Sequence, residues 1–134
     1  MTATNQDRNT PYNDAEIIGV PVKGATVIRA GVIVCANASG LAIEGATATT
    51  LTYLGRAEQY VDNSAGADGA KLILVRRQKM FKWENFPTDA VTQAQLGKVC
   101  YVADNQTVAA TDGAGTRSKA GVVMGVDADG VWVQ

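Results

Sequence analysis

Histidine is absent from the 134-residue sequence, and cysteine (two), tryptophan (two), phenylalanine (two) and proline (three) are scarce. Without histidine there is no Ser-His-Asp triad, no HExxH zinc site and no imidazole to shuttle protons near neutral pH. Cys35 and Cys100 are too few for a four-ligand zinc site and do not form a CxxC pair. Each lies in an apolar run, Val32-Ile33-Val34-Cys35 and Val99-Cys100-Tyr101-Val102, and reads as a reduced, buried thiol. No stretch approaches the roughly 18–20 apolar residues of a membrane-spanning helix. Residues 1–15 lack the apolar segment of a secretion signal, so synthesis in a reducing cytoplasm is expected. Charge of one sign is also missing. Twelve Lys+Arg against thirteen Asp+Glu leave a net charge of −1, which excludes a global field for nucleic acid or an anionic membrane.

What is present is a β-branched, turn-rich chain. Hydrophobic residues are 46% and charged residues 19%, enough apolar surface for one globular domain. Residues 1–15 are different: Thr4, Asn5, Arg8 and their neighbours are polar, and Pro11 followed by Tyr12 stops any local helix. Such a segment cannot offset its ordering entropy alone and is expected to be an extended arm, either disordered or ordered only against a partner. Residues 16–134 form the β-rich domain. Short strands are expected over 17–22, 26–30, 32–36, 41–44, 51–61, 71–77, 79–84, 98–103, 107–110, 121–126 and 130–133, separated by Gly/Asn/Asp turns. That spacing predicts an all-β fold, a mainly antiparallel barrel or sandwich, with one short helix over 88–96 that Thr88 or Asp89 can cap at its start and Gly97 can close. Leu72-Ile73-Leu74-Val75 and Val122-Val123-Met124 are apolar at every position, as in strands covered on both faces. In so small a chain this points to an oligomer or to docking on something large.

Catalytic and ligand motifs are lacking. The loop 62–69 has Asp62, Asn63, Ser64 and Asp68 but no closing acidic residue for calcium. The run 66–71 is not a phosphate loop, since GxxxxGK[ST] is missing and a strand follows. Carboxylates are scattered singly, so no catalytic residue, cofactor or metal is expected. The conspicuous feature is the basic run 71–82, with Lys71, Arg76, Arg77, Lys79 and Lys82 and no acidic residue between them. Phe81 and Trp83 interleave with it, but strand alternation spreads the cations over both faces, which disfavours a nucleic-acid stacking platform. A solvated hairpin and contact with an acidic protein surface are the other two readings. For the last, Arg76 and Arg77 suit bidentate pairing with carboxylates, and Trp83 and Phe86 next to Pro87 supply anchors.

Three stretches carry a resemblance. They are 55–71, opening Gly55-Arg56-Ala57-Glu58 and closing Gly66-Ala67-Asp68-Gly69-Ala70-Lys71, with Val75-Arg76-Arg77 and Phe81-Lys82-Trp83 after it; 96–108, from Leu96-Gly97-Lys98-Val99-Cys100; and Ala120-Gly121-Val122-Val123-Met124-Gly125 through Val131-Trp132-Val133. Together they resemble a tailed-bacteriophage capsid decoration (cement) protein, similar in role to the lambda-type head decoration proteins, over about residues 17–134. The resemblance implies a virion protein without catalysis, made in the host bacterial cytoplasm and added to the outer capsid surface of an expanded head. It implies the major capsid protein as partner and a homo-oligomer, a trimer ahead of a dimer, with no direct nucleic-acid or membrane contact. The interface candidates are then Thr4, Asn5, Arg8, Pro11 and Tyr12 of the arm with Arg76, Arg77, Lys79, Phe81, Trp83 and Phe86. A phage tail or receptor-binding module, or a carbohydrate-binding β-module, is the alternative.

Overall fold

The computed structural model describes residues 2–134, in which β-strands dominate. The strands are β1 (Ile17–Pro21), β2 (Thr26–Ile28), β3 (Ile33–Ala36), β4 (Ala42–Glu44), β5 (Thr52–Ala57), β6 (Val61–Asn63), β7 (Leu72–Arg76), β8 (Phe81–Asn85), β9 (Val99–Val102), β10 (Thr107–Ala109), β11 (Lys119–Asp127) and β12 (Gly130–Val133). A five-stranded sheet in the order β1-β7-β5-β3-β4 is antiparallel throughout. Strands β10-β8-β12-β11-β9 close on one another as a small barrel, with the single parallel pairing between β10 and β8. The β2–β6 ribbon completes the fold.

Period-two alternation explains how the parts pack. In β3, Ile33 and Cys35 point to the barrel core with Trp83, Val102 and Val131, whereas Val34 points to a second core with Ile28, Ile73 and Val75. All three are fully buried, so β3 is the strand covered on both faces. Each such Val or Ile contributes about 1.5–3 kcal/mol through burial. The barrel therefore sits on the β3–β4–β5 half of the sheet, where Ile43 and Tyr53 join its core. Polar bonds also cross this contact: Trp83 Nε1 donates to Tyr53 Oη at 3.0 Å, Ile33 N–H to Asn105 O at 2.8 Å and Asn105 Nδ2 to Glu44 Oε2 at 3.0 Å.

Two local expectations are corrected. Residues 88–96 do not form a helix; only a 3-10 turn, Gln93–Gln95, is present. Val91 is drawn into the barrel core, and Asn85 clamps it at both backbone groups, donating to Val91 O and accepting from Val91 N–H at 2.8 Å each. Asp89, a would-be helix cap, instead binds Thr111 and Arg117. The strand expected over 51–61 is broken after Ala57, because Val61 leaves the sheet to pair with Ile28. At Gly55, φ is +148° and an added Cβ would lie 2.1 Å from Arg76 O, so β5 and β7 approach as they do only without a side chain there.

Ile33→Ala should destabilise the protein by about 2–5 kcal/mol. Because β3 belongs to both cores, denaturant unfolding should remain one transition, with coincident tryptophan fluorescence and far-ultraviolet dichroism. Two separated transitions would mean that the halves fold independently.

Candidate interaction surface

Register places the residues of one sheet face in rows. Ile17 lies opposite Arg76, Arg76 opposite Arg56, and Arg56 opposite Ile33. The next rows hold Gly19 opposite Leu74 and Pro21 opposite Leu72. Pairing continues past β5, since Glu58 N–H donates to Leu74 O at 2.9 Å and Gln59 Oε1 accepts from Leu74 N–H at 3.0 Å. This brings Tyr60 beside Leu72, where both line an open groove with Gln59, Asp62 and Lys71. The barrel covers the Ile33 end of this face. The other end is bare: Leu72 is 63% exposed, Tyr60 59%, Leu74 45% and Ile17 42%. Adjacent exposed apolar side chains on one sheet face mark an interaction surface more reliably than scattered ones.

An ion cluster divides the covered half from the bare half. Two arginines directly opposite one another repel, and Glu58 neutralises them: its carboxylate accepts from Arg76 Nε at 3.0 Å and from Arg56 Nη2 at 2.5 Å. The Arg56 guanidinium also lies 5.4 Å from the Phe81 ring centroid, tying the cluster to the barrel wall. The Arg76 hydrogen bond, then that of Arg56, holds the Glu58 carboxyl below its ordinary 4.5.

The arm leaves the body at the corner of the bare face. Residues 2–15 are exposed and have no regular secondary structure; Tyr12 is 97% exposed. Thr4 closes a local turn on Gln6. Asn5, Arg8 and Pro11 are likewise exposed. The first anchored residue is Glu16, whose carbonyl accepts from Arg77 N–H at 2.7 Å and whose carboxylate pairs with Lys79 at 2.8 Å.

The interface candidates therefore separate. Arg76, Arg77 and Lys79 gather where the arm departs, with Arg77 Nε donating to Leu54 O at 3.1 Å. Phe81 and Trp83 are buried in the barrel core, where their alternation on β8 faces Val131 and Val133, so they supply packing and no surface. Phe86 is half-buried under the Arg117 guanidinium, 4.9 Å from its ring centroid. Of the two wholly apolar runs, Leu72–Val75 is covered on one face only: Ile73 and Val75 are buried, Leu72 and Leu74 are not. In the other, Val123 is buried and Met124 exposed. The surface residues that motif reading passes over are Ile17, Tyr60 and Glu58; only strand register unites them.

Among the described residues no group of three or more His, Cys, Asp or Glu is placed to hold a metal, and no helix is long and apolar enough to cross a membrane. Burial pushes both the Cys35 and the Cys100 thiols up to about 12. No protein-family model, curated protein or solved structure matches the chain.

Two measurements check these assignments. A carboxyl depressed in the folded state stabilises fully above its ordinary value and loses that contribution as the pH falls through the folded value. The Glu58 contribution should therefore be full above about pH 4.5 and decline as the pH falls below it. Glu58→Gln should lower stability at pH 7 and flatten the acid limb of the stability curve; an unchanged limb counts against the cluster. Iodoacetamide at pH 8 should label neither cysteine until denaturant is added, since almost no thiolate exists in the fold.

Proposed function

We propose that this protein is a structural virion component that binds the outer surface of an expanded icosahedral phage head and bridges major capsid protein subunits. The observation that supports this most is the half-bare sheet. One chain covers one end of an apolar face and leaves the other open, beside an exposed arm whose first anchored residue lies at its edge. Such a surface suits docking on a large, flat partner and does not suit enclosing a small substrate. The resemblance to capsid decoration proteins supplies the partner, and Arg77, which is in no ion pair among the described residues, suits a carboxylate at its margin.

The physical action is linkage. A ligand that binds only the expanded lattice stabilises it by its binding free energy, repeated at every site. An oligomer, a trimer ahead of a dimer, touching several subunits gains further through effective concentration. Packaged DNA presses outward, so bridging contacts matter most in a full head.

The second reading is a receptor- or carbohydrate-binding module on a phage tail. One observation favours it: the exposed Tyr60 ring stands in an open groove with Gln59, Asp62 and Lys71, a ring beside hydrogen-bonding groups. Binding on a glycan array that Tyr60→Ala abolishes would establish that reading.

Electron cryo-microscopy and a heat challenge of purified heads, with and without the protein, test the decoration reading. Complete heads should survive higher temperature than bare ones. Leu72→Asp with Leu74→Asp should leave the fold intact, because both side chains face solvent, and should weaken binding to heads by roughly tenfold or more. Equal survival of bare and complete heads, or full occupancy by the double variant, would reject it.

A further inference from the structure

The outer edge of β1 is open over Ile17 and Gly19; β4 closes on it only beyond Pro21, where Lys23 N–H donates to Ala42 O at 3.1 Å. Glu16 O accepts from Arg77 N–H, and Val22 N–H donates to Lys71 O at 2.9 Å, so the even-numbered residues of this stretch bond to β7. The N–H and C=O groups of Ile17 and Gly19 therefore point away from the sheet. Natural edges of this kind are blunted by charge, bulges or early proline. Here Ile17-Ile18-Gly19-Val20 carries no charge, its pairing with β7 runs without a bulge, and Pro21 comes only at the far end. Gly19 is exposed, with no atom within 4 Å of where a Cβ would stand. Beside the edge lies the apolar face of Ile17, Leu74 and Leu72. Unpaired backbone groups next to an apolar face form a site for one added strand.

We propose that this edge accepts the arm, residues 2–15, of a second copy of the chain. The arm joins the N-terminal end of β1, so within one molecule it can lie along that edge only by reversing. The arm of a neighbour meets no such constraint. Fourteen extended residues reach about 45–50 Å, enough to cross from one copy to the next. Charge agrees: Asp7 and Asp14 of the arm are in no ion pair among the described residues, and neither are Lys71 and Arg77, which flank the two ends of β1. The inference deepens the self-association in the proposed function and is independent of the capsid, because its test uses isolated protein.

Light scattering of the intact protein should give a mass above that of one chain, falling to one chain when residues 2–15 are removed or when Ile17→Lys places a charge on the edge. Neither change touches a buried residue, and thermal unfolding checks that each variant is folded. Hydrogen exchange should show the Ile17 and Gly19 amides protected in the assembled protein and open in the truncated one. A synthetic peptide of residues 2–16 added to the truncated chain should restore that protection. Equal masses for intact and truncated protein, or no protection from the peptide, would overturn the proposal. So would Ile17 and Gly19 amides that stay protected when the intact protein is diluted to single chains, the mark of an arm folded back on its own strand. Head occupancy is read separately, so an arm exchange that fails here leaves the decoration reading standing.

Discussion

Everything in the fold depends on the burial of β3 between two cores. A strand that sends Ile33 and Cys35 one way and Val34 the other lets a sheet and a barrel, each too small to enclose much apolar surface alone, share one structural member. The barrel must then lie over the β3–β4–β5 end of the sheet, and its size fixes how far it reaches. Its reach ends at the row Ile33, Arg56, Arg76, which leaves β7 and β1 outside.

At that limit the chain places charge. Arg56 and Arg76 stand opposite one another on neighbouring strands, an arrangement that costs stability unless an anion lies between them. Glu58 provides it from the residue just past β5, and Arg56 meets Phe81 on its other side. The cluster both finishes the barrel–sheet contact and borders the bare face. By contrast, an outer barrel strand closes its own polar groups: Lys82 pairs with Asp127 and Asp129, and Trp132 Nε1 donates to Asp127 at 2.8 Å. The exterior is thus uneven, satisfied near the β11–β12 turn and unsatisfied across β1 and β7.

Much of the β character was legible in the sequence, because Gly, Asn and Asp turns and β-branched runs act locally. Asn37, for example, closes its turn by accepting from Ser39 and Leu41 N–H. Tertiary demands defeated local reading elsewhere. The 88–96 segment has helix caps in sequence, yet one side chain, Val91, is worth more in the barrel core than a weak helix is in solvent. The continuous apolar run at Leu72–Val75 reads as a strand covered on both faces, yet within the chain only one face is covered; such a run does not distinguish that strand from Val32–Cys35, which is covered within the chain. Phe81 and Trp83 stand among the interface candidates because they interleave with cations. Their partners on β12 decide that they face inward, and pairing between β8 and β12 is not visible from spacing. For the same reason Tyr60 and Ile17 could not be grouped: they are 43 positions apart and meet only through β7.

Closing the barrel has one more outcome. A ring of strands has no free rim, so half of the molecule offers nothing for another chain's backbone to copy, and any templated pairing is confined to the opposite flank.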